Sequence, residues 1–93
     1  MELNQECVRD LLIYVEQHQP IHSGGVVQPF KVRRFCADEN APKYVAAEIA
    51  VAVQYLNDKK LIVSPNPNSG TSRIQIDRIT ANGYDYLGLI RDQ

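Results

Sequence analysis

The chain lacks an excess of charge of either sign. Ten Lys plus Arg stand against eleven Asp plus Glu, a net charge of −1 over 93 residues. A dedicated nucleic-acid binder usually shows a basic excess or stripe, so this balance counts against DNA binding, although a local patch can suffice. No apolar run approaches the ~20 residues that a membrane span needs. The start is acidic (Glu2, Glu6) and lacks the basic-then-apolar build of a signal peptide. A cytoplasmic location with no membrane partner is therefore expected. There are only two cysteines, Cys7 and Cys36, at no metal-type spacing. Two reduced thiols are expected rather than a disulfide. No internal repeat and no sign of a second domain interrupt the chain, so one domain over 1–93 is expected. What is present is ordinary globular composition, 44% hydrophobic and 23% charged, in a chain short enough to be only marginally stable alone.

Hydrophobic spacing predicts the elements. A helix is expected from Gln5 to Gln17. Asn4 is a suitable N-cap, and Leu3 with Val8 can form a hydrophobic staple. Val8, Leu11, Leu12 and Val15 fall at i, i+3, i+4 and i+7, one apolar stripe. Pro20 ends this helix, and His22-Ser23-Gly24-Gly25 reads as a turn. Val26 to Phe35 reads as an extended edge strand because Pro29 cannot donate to a ladder. Phe35 has the wrong parity for the Phe30 face and marks either a bulge or the end of pairing. The next helix is expected to start at Asn40 or Ala41, with Pro42 in its first turn, and to reach Asp58. Val45, Ile49, Val53 and Leu56 would form its buried stripe. Lys60–Ser64 and Arg73–Ile79 read as a strand pair around a polar loop, Pro65 to Ser72, expected to be mobile for want of an apolar anchor. A last helix follows Thr80 as cap, with Tyr84, Leu87 and Ile90 inward. Gly83 in its first turn would let it lie close against a partner element.

The order helix, strand, helix, strand, wing, strand, helix resembles a winged-helix domain whose second helix is shortened or merged. The predicted fold class is α+β, winged-helix-like, with three main helices, a small antiparallel sheet and a hairpin wing. Three stretches carry a narrower resemblance. They are Leu3-Asn4-Gln5-Glu6-Cys7-Val8-Arg9-Asp10-Leu11-Leu12-Ile13-Tyr14-Val15-Glu16, Ala52 to Ile62, and Ile79-Thr80-Ala81-Asn82-Gly83-Tyr84-Asp85-Tyr86-Leu87 with Ile90-Arg91-Asp92. Together they resemble a domain-of-unknown-function family (family 2513) of small proteins from Gram-positive bacteria and their prophages. The stretch Gly24 to Asn40 matches that pattern least. The resemblance implies a fold and a prophage setting. It implies no activity and no site residues.

Constellations with chemical meaning are few. His18 and His22 are four apart, but Pro20 between them breaks the helix that would align them on a metal. Gly24-Gly25 lacks the Lys-Ser/Thr of a phosphate loop. Neither cysteine has a local activating group or oxyanion donors, so no catalysis, no cofactor and no small-molecule substrate is expected. Lys31, Arg33 and Arg34 form the one dense basic cluster, suited to phosphate contact or to keeping an edge strand soluble. On the Lys43–Asp58 helix the exposed face would offer Lys43, Tyr44, Ala47, Glu48, Val51, Gln54 and Tyr55. Glu48 would repel phosphate there. Lys43, Gln54 and the wing residues Ser69, Thr71, Ser72 and Arg73 could still touch a duplex. The small, apolar part of the same face, Ala47, Val51 and Tyr55, suits a protein partner, with a second copy of the chain the simplest candidate. Two functions are therefore expected to compete. One is a non-catalytic, self-associating, dimeric interaction module. The other is a DNA-binding regulator using Lys31, Arg33, Arg34, Lys43, Gln54 and Arg73. Convergence of those cations on one face would favour DNA.

Overall fold

Asn4 starts the first helix as its sequence position demands. Its side-chain oxygen accepts from the backbone N–H of Glu6 at 3.0 Å and of Cys7 at 3.2 Å. The computed structural model describes residues 3–19 and 29–91. The turn at His22–Gly25, Pro20 and the first part of the expected strand lie outside the described residues. Helix α1 spans Gln5–His18 and buries Cys7, Val8, Leu11, Leu12, Tyr14 and Val15.

The expected long strand is replaced by two elements. Strand β1 is only Phe30–Lys31, and helix α2 follows at once over Val32–Ala37. This corrects the reading of the described part of that stretch as one extended strand, since residues 32–37 are helical. The parity of Phe35 is explained by it. Val32 and Phe35 are three apart on a helix, so both point inward, and both are fully buried. Tyr14 packs edge-on against Phe30 and Phe35, with ring centroids at 5.7 and 5.2 Å.

Helix α3 spans Ala46–Asp58, starting later than expected. Ala41 precedes a proline, which disfavours helical backbone at that position. The segment is instead organised by Asp38, whose carboxylate accepts from the Asn40 N–H at 2.8 Å and whose carbonyl accepts from the Ala41 N–H at 3.2 Å. Tyr44 then turns inward. Its ring stacks on Phe35 at 6.4 Å and its hydroxyl donates to Asp10. Val45 is the extended residue before the helix and is 59% exposed, contrary to its expected place in the core. Ile49, Val53 and Leu56 are buried as expected.

Strand β2 (Ile62–Val63) and strands β3 (Gln75–Ile76) and β4 (Arg78–Ile79) form the sheet contacts. Both pairings are antiparallel: Phe30 opposes Ile76 in the pairing of β1 with β3, and Ile62 opposes Ile79 in that of β2 with β4. Only Asp77 separates β3 from β4, and its N–H donates to the Val63 carbonyl at 2.7 Å. Residues 75–79 thus join β1 to β2 as one run. Arg73 belongs to a 3-10 turn, Thr71–Arg73, rather than to a strand.

Helix α4 spans Ala81–Arg91. Thr80 caps it, accepting from the Gly83 N–H at 3.0 Å. Leu87 and Ile90 face inward, but Tyr84 is 50% exposed. The inward position in that turn belongs to Gly83, which lies directly against the Leu61 backbone.

The loop between β2 and β3 has polar anchors in place of apolar ones. Asn66 donates to the Arg73 carbonyl at 2.8 Å and accepts from the Gln75 N–H at 3.0 Å. Thr71 donates to the Ala46 carbonyl at 3.1 Å. The expected mobility therefore depends on a small set of hydrogen bonds. Asn66→Ala should remove the loop's closure and raise amide exchange across residues 65–73 at least about tenfold, the equivalent of ~1.4 kcal/mol of local opening. Unchanged exchange there would show that Asn66 does not hold the loop.

Candidate functional site

Helix α3 presents its outward face through Ala46, Ala47 and Gln54, which are exposed, and through Ala50, Val51 and Tyr55, which are partly buried. From Ala46 to Asp58 it contains no Lys or Arg; its charged side chains are Glu48 and Asp58. Glu48 is not on the outward face as expected. Its carboxylate accepts from the Asn4 amide at 2.6 Å and from the Val45 N–H at 3.3 Å. It thereby ties the start of α3 to the start of α1. Glu48 lies three residues after Val45, the reach-back position of a capping box. A correctly placed helix start would have identified that role. Tyr44 likewise leaves the expected face for the core.

The basic residues separate into two groups. Arg34 donates to the His18 carbonyl at 3.1 Å, at the C-terminal end of α1. Lys43 donates to the carbonyls of Cys36 and Asp38, at the C-terminal end of α2. Cations in these places satisfy carbonyls that have no intrahelical partner. Lys31, Arg33 and Arg73 are exposed, and their side chains make no hydrogen bond or ion pair among the described residues. Arg33 lies in a shallow pocket of about 360 Å³ with Cys36, Ala46, Thr71 and Ser72, where α2, the 3-10 turn and the start of α3 meet. Lys31, Arg33 and Arg34 also line a second depression with Pro29 and Phe30. Gln54 is eight residues beyond Ala46, ~12 Å along the helix axis and away from this group.

The face expected for self-association is uneven. Ala47 is open and Val51 is half-buried. Tyr55 packs against the core, with the Lys59 Nζ 5.9 Å from its ring centroid and Tyr86 beside it. Ala47 and Val51 remain as a small outward patch.

Neither cysteine is an activated thiol. Burial pushes Cys7 up to about 12, helped by the Glu48 and Asp10 carboxylates. Cys36 is exposed on α2, and partial desolvation raises it despite nearby Lys43. The thiolate is the nucleophile, so the raised values lower the thiolate fraction of both. His18 lies against Tyr14, with ring centroids 4.0 Å apart, and its Nδ1 is buried without a hydrogen-bond partner among the described residues. His22 lies outside the described residues. Among the described residues no three His, Cys, Asp or Glu side chains are grouped to hold a metal. Among them too, no helix is long and apolar enough to cross a membrane.

The family model described as "Hypothetical protein (DUF2513)" matches residues 2–93. The chain belongs to this DUF2513 family. No curated protein and no solved structure matches it. The DUF2513 match includes the stretch 24–40 that resembled the family least.

Proposed function

We propose that this chain is a non-catalytic winged-helix protein-interaction module, prophage-associated and self-associating. The element order supports the winged-helix reading. With α2 present, α1, β1, α2, α3, β2, the loop, β3–β4 and α4 follow one another in the arrangement such domains use. One observation carries the interaction reading. Helix α3, which would enter a major groove, has no cation, two acidic residues and an outward face of alanines and Val51. Groove-reading helices use Arg, Lys, Asn or Gln at base edges, and only Gln54 qualifies on the exposed face here. A small apolar surface with no charge in its centre suits another protein.

Duplex DNA is the second reading, on a specific observation. Among the described residues the charges of Lys31, Arg33 and Arg73 near the 3-10 turn have no partner, and Glu48 is turned away from the α3 face. Three phosphate contacts correspond to a salt slope of roughly −3 and weak, sequence-independent affinity.

The test is a titration of labelled duplex DNA over a salt series, beside sedimentation of the protein alone at increasing concentration. Concentration-dependent association with only weak DNA binding is the expected result. Nanomolar affinity for one particular duplex at physiological salt, lost on changing Arg33 and Arg73 to Ala, would establish a regulator instead.

A further inference from the structure

A groove of about 500 Å³ runs between the start of α1 and the end of α4. Gln5, Glu6 and Arg9 line its α1 side, and Tyr86, Leu89 and Ile90 its α4 side. Leu89 is 71% exposed, the most exposed of the large apolar side chains among the described residues. A single exposed leucine is ordinary. This one stands beside a groove whose floor includes the buried Ile90 and the half-buried Tyr86. The face therefore carries both an apolar projection and the depression to receive one.

The rim adds charge of both signs. Glu6 and Arg9 are one helical turn apart on α1 and both border the groove. The Glu6 carboxylate has no side-chain partner among the described residues. Arg9 uses its Nε on Asp10 at 3.2 Å, which leaves the terminal guanidinium nitrogens for another acceptor. Under a two-fold axis, residue i of one copy meets residue j of the other and the reverse. Two copies of α1 running antiparallel would set each Glu6 against the other copy's Arg9.

We propose that a second copy of this chain docks here, forming a two-fold dimer in which each Leu89 enters the other copy's α1–α4 groove and Glu6 pairs with Arg9 across the axis. This rests on the self-association proposed above, but moves that contact from the α3 face, from which the interaction reading is argued, to α1 and α4. The outward α3 face and the cations Lys31, Arg33 and Arg73 play no part in the contact.

The test is sedimentation equilibrium of the full chain and three variants, with thermal melts to confirm that each is folded. Leu89→Lys puts a charge where an apolar anchor would enter and should weaken the dimer about tenfold or more. Glu6→Arg should weaken it about threefold by like-charge contact, and the double change Glu6→Arg with Arg9→Glu should restore it. Val51→Lys should leave it unchanged. A chain that is monomeric at every concentration overturns both the self-association and this interface. Association lost in Val51→Lys and kept in Leu89→Lys overturns this interface alone and places the contact on α3.

Discussion

Gly83→Ala is expected to destabilise the fold by about 3 kcal/mol or more, combining overpacking with damage to a helix cap. A Cβ at this position would lie 2.0 Å from the Leu61 carbonyl oxygen and 2.6 Å from the Ile79 Cγ2. The first of these is backbone, and it cannot swing aside. The Leu61 oxygen already accepts from the Thr80 N–H at 3.0 Å. Thr80 in turn donates to the Lys60 carbonyl at 2.7 Å while capping α4 through the Gly83 N–H. Lys60 holds the left-handed backbone, φ 59°, that brings the chain from α3 into β2. Moving α4 away to admit a methyl group would therefore disturb the cap and the start of β2 together. A domain of this size has roughly 5–14 kcal/mol of stability in total. Gly88 is the internal control. It lies in the same helix with nothing within 4 Å of its would-be Cβ. Gly88→Ala should stabilise by about 0.5–1 kcal/mol through helix propensity. In thermal melts the two variants should move in opposite directions, Gly83→Ala down by about 12 °C or more. A Gly83→Ala melting point within about 2 °C of the parent would mean that α4 does not sit against Leu61.

The close approach at Gly83 was legible because a glycine in a first helical turn, after a threonine cap, has few other uses. The α1 cap and stripe were legible for a similar reason: Asn4, Leu3 and the i, i+3, i+4 spacing all agree. The segment 29–45 was not. Val32-Arg33-Arg34-Phe35 carries two β-favouring apolar residues among cations, and alternation and helical spacing both describe part of it. Tertiary contacts decide between them, since Val32 and Phe35 must both reach the core while Phe30 faces Ile76. The same segment sets the candidate site. Once α2 is a helix, Arg34 reaches the end of α1, and Lys43 closes the end of α2. The His18 carbonyl lies 16 residues from Arg34, so one member of the Lys31, Arg33 and Arg34 cluster is drawn off by a long-range hydrogen bond, while Lys43 bonds locally to Cys36 and Asp38. Glu48 escaped for a related reason. Its partner Asn4 is 44 residues away. Leu89 has the plainest local pattern of all, an apolar residue one place off the Leu87–Ile90 stripe, yet only its neighbours on α1 make it part of a groove.

Leu56→Ala is expected to cost ~2–5 kcal/mol, and Val45→Ala less than ~0.5 kcal/mol, although both belong to the same apparent stripe. Leu56 is wholly buried in α3, and its carbonyl accepts from the Leu61 N–H at 2.9 Å as the chain turns toward β2. Removing its side chain leaves a cavity at the junction of helix and sheet, where the backbone turn limits collapse. The cost of such a cavity adds to the lost transfer energy. Val45 precedes the helix and is 59% exposed, so its truncation removes little buried area. Its backbone N–H, which meets Glu48 at 3.3 Å, is untouched by the change. Urea melts of the two variants measure the difference directly, with midpoints compared at unchanged slope. Equal losses would return Val45 to the core and move the start of α3 back toward Ala41. That result would also put Glu48 back on the outward face and remove its tie to Asn4, so the two-variant comparison tests the geometry of the candidate surface as well as its stability.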